Sequence, residues 1–346
     1  MSVIILNRMD LQENYNSEIE RLTRLKPYVI GLSVAEKRAL YGIVDSRGNV
    51  ICSDSVMMKD YPDPTAFVFD ICDRLMPMIE KCGGLDKIQA MGIGASSGNN
   101  LTGSIDNPAN LHWKGKIPLA KMFEGSLGIS VSLRNDATAS AMGERAFGAA
   151  HGLQNFICVN MDGGLGAGIF VNNHAVMGYN GRVGEIGHVT IFPNGRSCGC
   201  GSKGCLESYC SRRGIVDNAI EMMAQNRDMD TPLRNIPANE LTVYNVAEAA
   251  EQGDELALET LRYTGDLLGK ALVSVVAFFN PEAVIISGWV GALCGKYMQK
   301  AILLSLNEHL MSAMRWHTQV LLTTIDSNEA PLLYASAEAW ANKKRF

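Results

Sequence analysis

The sequence predicts an α/β protein of two lobes, and three observations carry that expectation. A strand–strand–strand–helix opening occurs twice, once from residue 28 and again from residue 156. The 346 residues are enough for two domains of ordinary size, each with a core of its own. Hydrophobic residues make up 47% and charged residues 19%, the balance of a soluble globular chain.

The elements follow in order. Residues 10–25 place Leu11, Ile19, Leu22 and Leu25 among charges, which reads as a short amphipathic helix. Tyr28–Leu32, Ala39–Val44 and Val50–Met57 read as strands, with Arg47-Gly48-Asn49 turning between the last two. Pro64–Cys82 reads as a helix with Pro64 in its first turn, and Ile88–Gly94 as a strand. A helix at Leu119–Leu127, a strand at Ile129–Leu133 and an Ala-rich helix at Ala137–Ala150 complete the first half.

The second half restarts with strands at Phe156–Met161, Gly166–Asn172 and Val189–Phe192, with Asn172-Asn173 as a hairpin turn. Helices are expected at 212–226, 243–251 and 254–279. A strand at Val284–Ser287 and a helix to about Met311 come next, then a strand at Val320–Ile325 and a helix at Pro331–Lys343. The first lobe is therefore 28–136 plus 330–346, the second 137–329, and 1–27 is a helical extension. Residues 226–242 have few periodic apolar positions and read as a surface loop.

The net charge of −5 gives no electrostatic footprint for nucleic acid. The longest apolar run, Ala271 to Phe279, is too short for a bilayer, and Met1 to Asp10 lacks a signal core, so a cytoplasmic protein with no membrane partner is expected. Cys52, Cys72, Cys82, Cys158 and Cys294 lie in apolar segments and read as reduced core residues. Cys198, Cys200 and Cys205 lie in a Gly-rich loop instead. Three thiols within eight residues, spaced by Gly199, Gly201 and Gly204, can converge on one tetrahedral ion, with His188 as fourth ligand. The alternatives are a redox pair or chance clustering. A zinc with four protein ligands has no open position and would be structural.

The run Gly184-Glu-Ile-Gly-His188 followed by Cys198-Gly-Cys-Gly-Ser-Lys-Gly-Cys205-Leu-Glu207 resembles the signature of the ROK family of repressors, open reading frames and kinases. Gly92-Ile-Gly94, Asn110-Leu-His-Trp-Lys-Gly115 and Arg134-Asn-Asp-Ala137 follow the family order. Within the family the chain resembles bacterial ROK glucokinases. The resemblance implies an actin/hexokinase-like, duplicated ribonuclease H-type fold with a cleft between the lobes. It also implies a hexose ligand, Mg-ATP for an active member, and a homodimer, for which Met222-Met223 offers an interface or a core role.

The resemblance makes Asp136 the general base for the sugar 6-hydroxyl, a task suited to a carboxylate within hydrogen-bond reach. Asn135-Asp136 also reads as a helix cap, and the two roles are compatible. Glu185, His188 and Glu207 would bind other hydroxyls, His188 with one ring nitrogen on zinc and one towards the sugar. Taken alone, Glu185 and Glu207 read as solvated surface charges. Asn99 or Asn100 would add an amide, from a loop that reads Ala95-Ser-Ser-Gly98 where the family often has Pro.

The nucleotide side departs from the pattern in three places. The family's Asp-x-Gly-Gly-Thr hairpin reads Ser33-Val-Ala35-Glu36-Lys37 here. The Gly-Thr-Gly-x-Gly-x-Gly loop reads Asp162-Gly163-Gly164-Leu-Gly166-Ala-Gly168, and Gly288-Trp289 stands where consecutive glycines are usual. Phosphates are cradled by backbone N–H groups in glycine turns, so these changes predict lost or weakened ATP use. Three readings follow: a hexose sensor or pseudokinase, an ATP-dependent hexose 6-kinase, and a DNA-binding repressor. The last needs a helix-turn-helix, and the roughly 27 residues before the first strand offer one short helix of mixed charge.

Overall fold

The computed structural model describes residues 26–108 and 111–341, so the helix expected at 10–25 lies outside the described residues. The first half opens with β1 (Tyr28–Val34), β2 (Arg38–Asp45) and β3 (Val50–Met57). The turn between the last two is held by Asp45, whose carboxylate accepts from the amides of Arg47 at 2.8 Å and Asn49 at 2.9 Å. Helix α1 (Pro64–Lys81) follows, capped by the Asp63 carboxylate on Ala66 N at 2.9 Å. Its buried stripe of Phe67, Ile71, Leu75 and Ile79 recurs at one helical turn and faces the sheet.

β4 (Ile88–Ala95) comes next, then a two-stranded hairpin of β5 (Ile105–Asp106) and β6 (Lys116–Ile117) that sequence periodicity does not announce. Helix α2 (Leu119–Leu127), β7 (Val131–Asn135) and α3 (Asp136–Phe147) complete the half.

The second half repeats the plan with β8 (Phe156–Met161), β9 (Leu165–Val171) and β10 (His174–Ala175). Asn172 and Asn173 turn between β9 and β10 with φ of 49° and 66°, the left-handed pair a two-residue hairpin requires. Helices α4 (Glu207–Cys210), α5 (Arg212–Gln225), α6 (Val243–Glu251) and α7 (Glu255–Phe279) lead to β11 (Ala283–Ser287). Helix α8 (Gly288–His309), β12 (Gln319–Leu322) and α9 (Ala330–Ala341) end the described chain.

The two sheets have one topology. The first is ordered β3-β2-β1-β4-β7 and the second β10-β9-β8-β11-β12. In each, three antiparallel strands are joined by two parallel ones. Helix α9 returns to the first sheet and crosses β1 and β4 so closely that a Cβ at Gly31 would lie 2.7 Å from the Leu332 carbonyl, and one at Gly92 2.0 Å from that of Ala335. Helices α7 and α8 meet in the same way, where Gly265 and Gly269 face the carbonyls of Met298 and Ile302. Each sheet has its own buried cluster, and Val29, Val44, Ala90, Ala139, Leu333 and Tyr334 form another where α9 meets β1, β4 and α3.

The strand expected at Val189–Phe192 does not form. Gly184 takes φ of 80° and packs against the Ala167 carbonyl, and Ile186–His188 winds into a 3-10 turn. Among the described residues this run makes an isolated bridge, Thr190 to Cys205, and the short β10 holds the sheet edge instead. Cys72, Cys158 and Cys294 are buried as expected, while Cys52 and Cys82 are half-buried. Cys210 is buried too, its thiol raised by desolvation. Met222 and Met223 pack partly buried against the second core. The 226–242 segment holds a 3-10 turn at Pro232–Asn235. No helix among the described residues is long and apolar enough to cross a membrane.

Candidate functional site

The parallel strands β1, β4 and β7 end together at Val34, Ala95 and Asn135, so the turns that follow gather at one edge of the first sheet. Asn135 caps α3, its side-chain oxygen accepting from Ala137 N at 3.0 Å. Asp136, first residue of that helix, accepts from the Ser96 hydroxyl at 2.7 Å and from Ala137 N at 2.8 Å. The cap and an inward carboxylate therefore coexist. Ser97, in the loop after β4, sits at φ of 59°, so Ala95-Ser-Ser-Gly98 makes a tight left-handed turn without proline.

Asn100 is 2% exposed and ties this edge together. Its side-chain oxygen accepts from Asn135 N at 2.9 Å and its amide donates to Thr138 Oγ1 at 3.1 Å. Its carbonyl accepts from Arg134 Nη1 at 2.5 Å. Arg134 Nη2 in turn pairs with Glu338 on α9 at 2.8 Å, with 1% of the Glu338 side chain exposed. A second buried carboxylate, Glu144 on α3, accepts from Thr323 Oγ1 at 2.5 Å and Tyr334 OH at 2.9 Å. Helix α9 is thus tied to β7 by an ion pair and to α3 by a hydrogen bond, between segments far apart in sequence. Asn99 makes its side-chain hydrogen bonds within the protein.

From the second half, the 3-10 turn Ile186–His188 presents Glu185 and His188. Partial desolvation raises the Glu185 carboxyl; His188 and Arg182 oppose the rise, and Asp136 and Glu207 add to it. Four charged or ionisable groups from three segments thus bear on Glu185, although Glu185 and His188 remain exposed to solvent. Glu207 opens α4, and its Oε2 accepts from Leu165 N at 2.9 Å. That contact ties it to the β8–β9 turn, where a Cβ on Gly164 would meet the same oxygen at 2.6 Å.

His188, Cys198, Cys200 and Cys205 bring one ligand atom each within 4.8 Å of all the others. Cys198 Sγ lies 3.7 Å from His188 Nδ1, and Cys200 Sγ 3.7 Å from Cys205 Sγ. Zinc–sulfur and zinc–nitrogen bonds of about 2.3 and 2.0 Å at tetrahedral angles put ligand atoms about 3.5–3.8 Å apart, so donor set and spacing fit a closed zinc site. The Ser202 amide and the neighbouring thiols bring the Cys200 thiol down to about 7, whereas burial and those same thiols push Cys205 up to about 12. With Nδ1 on the cysteine side, Nε2 of His188 is left for another partner.

The nucleotide-side residues are arranged differently. Ser33 is in β1, and Lys37 in a tight hairpin closed by Ala35 N on the Arg38 carbonyl at 3.1 Å. Neither Ala35, Glu36 nor Lys37 takes a positive φ, so the hairpin lacks the alternating backbone that makes an anion nest. Gly163 and Gly164 form the β8–β9 turn. Gly166 and Gly168 are explained by packing, since a Cβ would lie 3.0 Å from Ala137 Cβ at the first and 2.4 Å from Ala141 Cβ at the second. Gly288 has φ of 77° and opens α8.

Asp162 reaches that helix start: its Oδ1 accepts from Trp289 N at 2.8 Å and its Oδ2 from Asn160 Nδ2 at 3.1 Å. Burial raises the Asp162 carboxyl; Trp289 N opposes the rise and Asp136 adds to it. The Trp289 ring stacks on Tyr244, centroids 5.1 Å apart and planes 18° apart.

Sequence reasoning missed Ser96, Thr138, Arg134 with Glu338, and Glu144 with Tyr334. Ser96, Thr138 and Arg134 stand in or beside a motif; Glu338, Glu144 and Tyr334 have no local signal.

Known proteins are similar to this chain in sequence and in fold. A glucokinase of Streptomyces coelicolor is 30% identical over 75% of this chain and 81% of its own. An N-acetylglucosamine repressor of Escherichia coli O157:H7 is 31% identical over 61% of this chain and 51% of its own. Among solved structures, a ROK glucokinase of Streptomyces griseus in complex with glucose and AMPPNP superposes with a TM-score of 0.76, 29% identity and coverage of 91% of this chain and 99% of that one. A ROK hexokinase of Thermus thermophilus shares the fold, with a TM-score of 0.74, 23% identity and coverage of 92% and 100%. The architecture is thus the actin/hexokinase-like one, and the ROK family model matches residues 30–342. The chain belongs to the ROK family.

Proposed function

We propose that this protein binds a hexose in the cleft and has lost most or all of its capacity for ATP-dependent phosphoryl transfer, so that it works as a hexose sensor. Asp136, Asn135, Glu185, His188 and Glu207 would surround the sugar with buried Asn100 bracing them from behind, and the Cys198–Cys200–Cys205 loop with His188 would hold a structural zinc that fixes that wall. The relatives include glucokinases and sugar repressors alike, and a sugar pocket is the common denominator of those names.

The observation that carries the loss of transfer is Asp162. The first turn of a helix has unpaired N–H groups and attracts anions. At α8 the Trp289 amide is already taken by the protein's own carboxylate. A phosphate placed there would displace a hydrogen-bonded carboxylate and face its charge in a cleft of reduced dielectric. Calorimetric titration with Mg-ATP, in the presence and absence of D-glucose, tests the reading. We expect no heat up to millimolar nucleotide; micromolar binding would overturn it.

A second reading, an ATP-dependent hexose 6-kinase, is favoured by the glucokinase relatives and by the placement of Asp136, held by Ser96 at the end of β7. Asp136 would take the 6-hydroxyl proton as phosphoryl transfer proceeds, and Mg-ATP would supply the phosphoryl group. In that case Asp136→Asn abolishes turnover and changes sugar affinity by less than about tenfold.

A further inference from the structure

A side-chain amide offers two N–H donors and an oxygen with two acceptor positions. Asn99, 7% exposed, has all four engaged inside the protein. Its oxygen accepts from Leu101 N at 3.0 Å and Thr102 N at 3.2 Å. Its nitrogen donates to Asp106 Oδ2 and to the Asn180 carbonyl, each at 3.1 Å. The last bond joins the two halves of the chain, from the loop after β4 to the segment after β10.

Three more contacts run beside it. Asn100 N donates to the Gly181 carbonyl at 3.3 Å, and Arg182 Nη2 pairs with Asp106 Oδ2 at 3.3 Å. Gly181 has φ of 78°, and a Cβ there would lie 2.4 Å from Asn99 Oδ1, so the two segments touch through a residue that only glycine suits. The Ser104 hydroxyl donates to Asp106 Oδ1 at 2.6 Å. Burial raises the Asp106 carboxyl, but bonds from Ser104, Asn99 and Arg182 outweigh it and hold the group below its ordinary value.

This junction stands between two groups of the sugar site. Three residues after Arg182 comes Glu185, and one residue after Asn99 comes Asn100, which is bonded to Asn135 N and Thr138 beside Asp136. We propose that Asn99, Asp106 and Arg182 form a clasp across the cleft that sets the separation of Glu185 from Asp136, which makes Arg182 and Asp106 positioning residues for the hexose. Asn99 then belongs to the frame of the site rather than to its sugar contacts. The inference rests on the hexose reading above for its functional half and on geometry alone for the clasp.

Arg182 is the residue to change first, because 51% of its side chain is exposed and its removal leaves the cores intact. Arg182→Ala, Asp106→Asn, the double variant and Arg182→Lys are compared with wild type in two measurements. Amide hydrogen exchange without sugar reports the clasp itself. Arg182→Ala is expected to speed exchange at Asn100 and Gly181 and their neighbours by about tenfold, with the amides of α7 unchanged. Calorimetry with D-glucose reports positioning. Arg182→Ala and Asp106→Asn should each weaken binding by roughly 5- to 20-fold, the double variant no further than the worse single one, and Arg182→Lys should recover most of the loss.

Unchanged exchange in both single variants overturns the clasp. Faster exchange with unaltered glucose affinity overturns the positioning role. A wild-type protein that takes up no D-glucose brings down the hexose reading and the positioning role together, and the exchange data then uphold or refute the clasp by themselves.

Discussion

The residues assigned to the sugar and those assigned to the nucleotide treat their polar groups in opposite ways. On the face we assign to the sugar, Glu185 and His188 stay exposed and Glu207 commits one oxygen to Leu165 N. The groups behind that face are closed off by buried pairs such as Arg134 with Glu338. On the nucleotide side the group that reaches the helix start, Asp162, is itself committed to Trp289 N and Asn160, and Trp289 is stacked on Tyr244. A pocket built to receive hydroxyls needs polar atoms that are fixed in place and still short of partners. A pocket whose helix start and aromatic ring already have partners within the protein offers a nucleotide little. The difference lies in which groups already have partners, more than in which residue types are present.

The largest effect should come from the support behind the sugar face. Arg134→Met takes the cation away from buried Glu338 and should cost about 3–5 kcal/mol in denaturant unfolding, with weaker hexose binding as a consequence. A loss under about 1 kcal/mol would show that the pair does not brace this face.

The zinc loop comes next. Cys200→Ser should lower bound zinc, measured by elemental analysis, from one equivalent towards none, and weaken hexose affinity by roughly 10- to 100-fold, because His188 loses its fixed orientation. Full affinity in a metal-free protein would separate the loop from the sugar face.

A smaller effect is expected from opening the other face. Asp162→Gly combined with Trp289→Gly should bring Mg-ATP binding into calorimetric range, a gain on the order of tenfold. If the double variant binds no better than wild type, the hairpin at Glu36-Lys37 is the stronger obstacle.

The smallest effect is a pH dependence. The Asp162 carboxyl is raised above its ordinary 3.8 in the folded protein, so the native state holds this proton more tightly than the unfolded chain does. That contribution to stability is present below the unfolded value and lost as pH rises through the folded one. Asp162→Asn cannot ionise, so its stability relative to wild type should increase with pH from about 4 upward and level off beyond the folded pKa. A difference that stays flat from pH 4 to 8 contradicts a desolvated carboxylate at this helix start.

How far the site could be read in advance depended on distance along the chain. His188, Cys198, Cys200 and Cys205 were legible because tight glycine spacing leaves few ways to arrange three thiols, and the structure gathers them. Asn135 was legible as a cap because capping involves only neighbouring amides. Val189–Phe192 was misread because an apolar run has the pattern of a strand. The backbone there is set instead by Gly184 against Ala167 and by the turn that aims His188. The glycines at 166 and 168 looked like phosphate-loop residues, and their packing against α3 gives them a different cause.

The sequence by itself determined the doubled strand–strand–strand–helix plan, nearly every helix and strand, the Cys/His cluster and the departures from the family's glycine-rich motifs. Those are local signals: periodicity, caps, turns and short-range spacing. The tertiary structure alone decided that Asp162 caps α8 across 127 residues, that Arg134 meets Glu338, and that Asp106 meets Arg182. Such partners are chosen by where the two sheets and α9 come to rest, because a buried charge must be met by whatever group the packing brings to it.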